Sequence, residues 1–265
     1  MSHTSEQNPM TATRRMRERR TRAARAARIR RRAVFAAAAA AAAAAALAGG
    51  AVIALGGTGA GHAAAGAPGP LLVPAHASGP DGTVVTYGKA DAPHTLEVYE
   101  DLRCPFCAQL ETRTGKAMQE PADNGTYKIE YHLATFLDDR LGGSGSRTAL
   151  AAAAAALNEG VDKFKQFHDV LYANQPDEHK DTFADVNYLL ELAARVPGLT
   201  TDSFIKAVRE GTYAPWAAKV ATAFHRSGVT GTPTVKLDGR SLEAFGSSGA
   251  VTPERFAELV KQAVA

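Results

Sequence analysis

Cysteine occurs twice in the 265 residues, in the run Cys104-Pro105-Phe106-Cys107. Two cysteines placed at random in such a chain would fall at this spacing about once in a hundred sequences, so the pair reads as a motif. Proline suits the first turn of a helix, because the N–H it lacks is one that turn leaves unbonded anyway. Pro105 therefore predicts a helix opening at Cys104, with the Cys104 sulfur beside free amides and the positive end of the helix dipole. A thiolate is stabilised there, which lowers the thiol pKa and makes a nucleophile near neutral pH. Cys107 comes one turn later on the same face and can close a disulfide. Redox exchange, half of a zinc site and an inert disulfide all use such a pair. Zinc would need two further ligands, and His132, His168 and His179 have no ligand spacing. An inert disulfide would close a loop too short to constrain the unfolded chain much.

A second signal is Val229-Thr230-Gly231-Thr232-Pro233-Thr234-Val235. A proline just before a strand, preceded by Gly-Thr, can hold a cis peptide bond. The elements that must position these residues follow from pattern. Thr83–Tyr87, Thr95–Tyr99, the alternating Tyr127–Ala134 and Val235–Leu237 read as strands. A helix is expected from Cys104 to about Met118, with Asn124-Gly125 as a turn. Helical apolar spacing recurs in 147–158, 161–173, 182–196, 201–210 and 215–227, with Asp181, Thr200 and Thr201 as candidate caps. Asp238-Gly239 is a hairpin signal, and 253–264 closes the chain as a helix. Strands alternating with helices predict an α/β layered fold. The alanine run at 151–156 reads as composition without periodicity.

Together these motifs resemble the thioredoxin superfamily, and within it the DsbA-like thiol:disulfide oxidoreductases. The resemblance spans about Thr83 to Ala265. It rests on Tyr99-Glu100-Asp101-Leu102-Arg103-Cys104-Pro105-Phe106-Cys107, on the segment from Phe164 to Gln175, and on Gly228 to Thr234. It implies a thioredoxin-like fold with an inserted helical subdomain at about 140–228. It also implies that Cys104 attacks, that Cys107 is buried and resolves, and that Pro233 is cis beside them. The Thr232 backbone and Phe106 would meet the substrate. No metal and no organic cofactor is expected. Many relatives carry a buried acid six residues before the first cysteine, where this chain has Val98. Glu97 would face the other side of the sheet, which puts proton handling at Cys107 in doubt. The Pro-Phe dipeptide lacks the ring N–H of the strongest oxidants. A potential between about −120 and −270 mV is therefore expected.

Charge and hydropathy place the domain. The net charge of +3 conceals eleven arginines and two acids in residues 1–32, a tail of +9 on a remainder of −6. The basic character belongs to the tail, so nucleic acid is not an expected partner. No Asp, Glu, Lys or Arg occurs from Ala33 to Pro80. Residues 33–55 are apolar throughout and would span about 34 Å as a helix, against about 30 Å of hydrocarbon. The expected organisation is a basic cytoplasmic tail (1–32), a transmembrane signal anchor or signal peptide (33–55), a flexible linker (56–80) and the thioredoxin-like domain (81–265). The positive-inside rule puts the C-terminal domain outside. Retention predicts a single-pass membrane protein, and cleavage near Ala75-His76-Ala77 predicts a secreted one. Expected partners are thiols of secreted or cell-envelope proteins and a membrane redox protein that recycles the pair. An extracytoplasmic reductase and a non-enzymatic peptide-binding module are the competing readings.

Overall fold

The computed structural model describes residues 70–264. The expected basic tail and membrane segment lie outside the described residues. Among those described, no helix is long and apolar enough to cross a membrane.

A six-stranded mixed sheet runs in the order β1-β2-β4-β3-β5-β6. Its strands are β1 (Ala77–Ser78), β2 (Val84–Tyr87), β3 (His94–Asp101), β4 (Tyr127–Ala134), β5 (Thr234–Leu237) and β6 (Arg240–Leu242). The central strand β3 pairs parallel with β4 and antiparallel with β5. Parallel neighbours need a crossover, and α1 (Pro105–Asn124) supplies it. Leu96 and Val98 of β3 and Tyr127, Ile129 and Tyr131 of β4 are fully buried. β5 and β6 turn at Asp238 (φ 49°) and Gly239 (φ 77°), the doubly positive pair of a tight hairpin.

Between β4 and β5 stand six helices: α2 (Phe136–Leu141), α3 (Gly145–Glu159), α4 (Val161–Ala173), α5 (Val186–Ala193), α6 (Asp202–Glu210) and α7 (Ala214–Arg226). A two-stranded hairpin, β7 (Phe245–Gly246) with β8 (Gly249–Ala250), and the final helix α8 (Pro253–Ala263) complete the fold. The alanine run has a structural reason. Helix α3 is the axis of the helical subdomain and packs on α4, α6 and α7, and Ala151 to Ala156 are all buried. Small side chains let several neighbours approach one helix at once. A helix enclosed on every side has no polar face, and so no period to read.

Several expectations shift. Helix α1 passes Met118 and continues through Pro121 to Asn124, ending at Gly125 (φ 89°), whose N–H donates to the Ala122 carbonyl. The segment 182–196 breaks at Asp185, which caps α5 by accepting from the Asn187 N–H. Thr201, and not Thr200, caps α6. Asp181 caps a different helix: its carboxylate accepts from the Ser144 and Gly145 N–H groups at the start of α3. The end of the expected linker belongs to the fold, because Ala77 and Ser78 pair with β2 and the Ala75 N–H donates to Asn158. The helical insertion begins at Phe136, ahead of the expected 140. β1 and the β7–β8 hairpin have two-residue strands, too short to show alternation.

Candidate active site

Cys104 is the residue that opens α1, with an extended backbone (φ −73°, ψ 117°) and Pro105 behind it in the first turn. Both thiols are free. Cys107 is completely buried, and Cys104 is buried but for one edge, with 5% of its surface exposed. The loop carrying the cis Thr232–Pro233 bond comes up against the first sulfur, and the Cys104 Sγ donates to the Thr232 carbonyl at 3.5 Å. The loop is held by the Thr234 hydroxyl, which donates to the Gly231 carbonyl. Phe106 is the most exposed large apolar side chain of the described residues, at 57%, and its ring meets Phe245 edge-on at 5.5 Å.

The two sulfurs are electrostatically unequal. A hydrogen bond from the Cys107 thiol does most to lower the Cys104 pKa to about 7; burial opposes it, while Thr232 and the Cys107 and Phe106 amides assist. Burial pushes the Cys107 thiol well above its usual value, and the neighbouring Cys104 and Glu100 add to that. An ionisable outer thiol over a neutral inner one is the arrangement that thiol exchange uses.

The segment before the helix is clamped to the helical subdomain. Asp101 is buried and accepts from the Arg103 and Leu137 N–H groups and from the Ser146 hydroxyl at 2.7 Å. Arg103, also buried, donates to Asp138 at 2.8 Å and to the Gly142 and Glu178 carbonyls. Gln175 reaches across and donates to the Leu102 and Cys104 carbonyls at 2.8 and 3.0 Å. Beneath the cysteines a second buried group assembles. The Glu100 carboxylate at the end of β3 lies 2.8 Å from His168 Nε2 on α4, and both are fully buried. Glu111 on α1 joins them, its pKa raised to about 8 chiefly by burial and then by the Glu100 charge.

Residues 81–262 match the family profile described as thioredoxin. The chain belongs to the thioredoxin family. Among curated proteins it is 25% identical over 159 residues to disulfide bond formation protein D of Bacillus subtilis, covering 60% of this chain and 69% of that one. Among solved structures, the reduced disulfide bond oxidoreductase DsbG of Mycobacterium tuberculosis superposes with a TM-score of 0.58 at 25% identity, covering 69% of this chain and 88% of that one. Oxidised DsbA of the same organism gives 0.57 at 25% identity, covering 69% and 93%. This thioredoxin-family member is thus DsbA-like and is a thiol:disulfide oxidoreductase.

Within this family member, the fold brings Cys104, Cys107, Thr232, Pro233 and Phe106 from two distant stretches of sequence to the C-terminal end of the central strand β3. Val98 does hold the position two residues before Glu100, on the same face of β3, and is buried. An acid nevertheless lies near the inner sulfur, and it is Glu100. His168, which has no ligand spacing in the sequence, belongs to this buried group. Asp101, Arg103 and Gln175 carry the clamp, and all three stand inside the segments that carried the resemblance. Their signal was a charged or amide residue with no periodic reason to be there. Trp216 is core and donates to the Gly82 carbonyl at 2.7 Å.

Proposed function

We propose that this oxidoreductase works outside the cytoplasm, tethered by residues 33–55 as a single-pass anchor, and oxidises the thiols of secreted and cell-envelope proteins. One observation carries the reading: the outer sulfur is ionisable near pH 7 while the inner sulfur is not. A Cys104 thiolate stabilised below the free-thiol value favours the reduced pair over that of ordinary thiols and makes Cys104 a good leaving group. The arginine block ahead of an apolar run supports export, where structural disulfides persist.

The cycle begins with the Cys104–Cys107 disulfide. A substrate thiolate attacks the Cys104 sulfur, a mixed disulfide forms, and Cys107 departs and takes up a proton. A second substrate thiolate then attacks the substrate sulfur of that mixed disulfide and expels Cys104 as a thiolate. The substrate loses two electrons and the pair gains them. A membrane redox partner takes those electrons back. Thr232 supplies backbone hydrogen-bonding groups beside the attacked sulfur, where an extended substrate segment can lie strand-like. Phe106 offers that segment an apolar surface.

The test is oxidative refolding of a reduced, disulfide-containing substrate in a glutathione buffer with the full chain added. Wild type accelerates recovery of the native substrate, and Cys104→Ala does not. Equal behaviour of the two would leave a binding module and end the enzymatic reading. In cells, thiol trapping should find the pair mostly as disulfide; a mostly reduced pair would favour the reductase.

A further inference from the structure

The buried group under the cysteines holds more hydrogen-bonding capacity than the protein satisfies. Glu100 Oε1 and both oxygens of Glu111 are buried and have no hydrogen-bond partner, and His168 Nδ1 faces Asp169 Oδ1 only at 3.7 Å. Buried polar groups are seldom left unpaired, charged ones least of all. All three residues contribute a ligating atom to a set lying within 4.8 Å of one another. Aromatic rings flank the imidazole. The Tyr131, Phe164 and Tyr172 rings stand 4.8, 5.6 and 4.8 Å from the imidazole.

Glu111 has its space from what is missing beside it. It sits on α1 one turn before Gly115, and a Cβ at 115 would come within 3.0 Å of its Oε2. The glycine leaves room for the carboxylate to lie inward along its own helix. A cavity of about 570 Å³ opens to one side, and Glu111, Asp169 and Tyr172 are part of its wall. Small ions therefore have a way in that does not pass the cysteines.

We propose that Glu100, Glu111 and His168 form a binding site for one divalent transition-metal ion of the zinc type, entered from this cavity. Two carboxylates and one imidazole suit borderline cations of that kind, and three protein ligands leave a position open towards the cavity. Ligands about 2.1 Å from one tetrahedral ion stand about 3.4 Å apart. The present spread closes to that by rotation of the unpartnered Glu111 side chain, while the ion takes the place of the proton between Glu100 and His168 Nε2. Charge also balances. Asp169, which is ion-paired with the ammonium of buried Lys165, is the third carboxylate of the neighbourhood. Three carboxylates, one ammonium and a divalent ion sum to zero around a neutral imidazole.

The test uses the full chain, stripped with chelator and oxidised so that no thiolate can bind metal. Zinc chloride is titrated against a chromophoric competitor, and X-ray absorption reports the ligands. One equivalent should bind to the oxidised protein, with a nitrogen/oxygen shell and no sulfur. Glu111→Gln keeps shape but loses charge, and should weaken this binding by about 100-fold or more, since even outer-shell changes at metal sites cost 10–100-fold. Glu120→Gln, elsewhere in the cavity wall, should leave it unchanged. Circular dichroism confirms that each variant is folded. No stoichiometric binding to the oxidised wild type would overturn the proposal. So would binding that needs the reduced cysteines, or binding retained in folded Glu111→Gln.

Discussion

Removing the inner thiol while keeping the fold should unseat the low pKa of the outer one. The first cause of the depressed Cys104 pKa is the hydrogen bond that the Cys107 thiol donates to it. Hydrogen bonds to charged groups contribute about 1.5–3 kcal/mol, which is about one to two pKa units. In Cys107→Ala the Cys104 pKa should therefore climb from about 7 to about 8–9. At pH 7 the thiolate fraction would drop from about one half to between about a tenth and a hundredth. The alkylation rate falls less, because a more basic thiolate is intrinsically more nucleophilic; a Brønsted slope near 0.45 returns about 3–10-fold of the loss. The midpoint of the pH profile is thus the cleaner readout. Iodoacetamide kinetics from pH 5 to 10, or thiolate absorbance at 240 nm, would supply it. Cys107→Ser retains a donor and should stay near pH 7. If the alanine and serine variants share one midpoint, the inner thiol does not stabilise the outer thiolate, and the electrostatic account of the pair fails.

Other expectations follow from the same contacts. Arg103→Ala leaves Asp138 buried beside a vacated guanidinium site and should cost about 3–5 kcal/mol in chemical denaturation, whereas a loss under 1 kcal/mol would mean that water replaces the guanidinium. Gln175→Ala removes the amide donor from the Leu102 and Cys104 carbonyls, the latter still accepting from the Ala108 N–H, and should cost about 1–2 kcal/mol, with the Cys104 alkylation midpoint reporting whether the loop moves as well. Phe106→Ala should raise KM for a reduced peptide substrate several-fold and leave the Cys104 pKa in place, since the ring is exposed and gives the thiolate only its backbone amide. Glu111 has a pKa raised to about 8 by burial, so its stabilising contribution is complete below its unfolded value and is lost as pH rises through 8. In chelator, wild type should therefore lose more Tm between pH 6 and 9 than Glu111→Gln, and parallel curves would contradict the assignment.

The sequence disclosed the chemistry more readily than the scaffold around it. The cysteine spacing, Pro105 and the Gly-Thr-Pro segment are local signals, and each element's own periodicity located β3, β4, α4 and α8 within a few residues. What escaped depends on contacts distant in sequence. Asp181 caps α3 from 36 residues away, so no window around Asp181 could distinguish that from capping its own helix. Glu100 pairs with His168 across 68 residues, a contact that no pattern within either element announces. The alanine run of α3 was opaque for the opposite reason, because uniform burial erases the pattern that marks a face. Val98 illustrates the limit of transferring a family position. The acid of this site stands two residues later on the same face of the strand, a shift invisible without the sheet.

The account rests on Cys104 and Cys107 cycling as a two-electron pair, and an equilibrium redox titration of the full chain in glutathione or dithiothreitol buffers, read by thiol trapping, tests it directly. A single two-electron transition between about −120 and −270 mV, abolished in Cys104→Ala, is the predicted result. Cysteines that stay reduced, or stay bonded, across that whole range would contradict it.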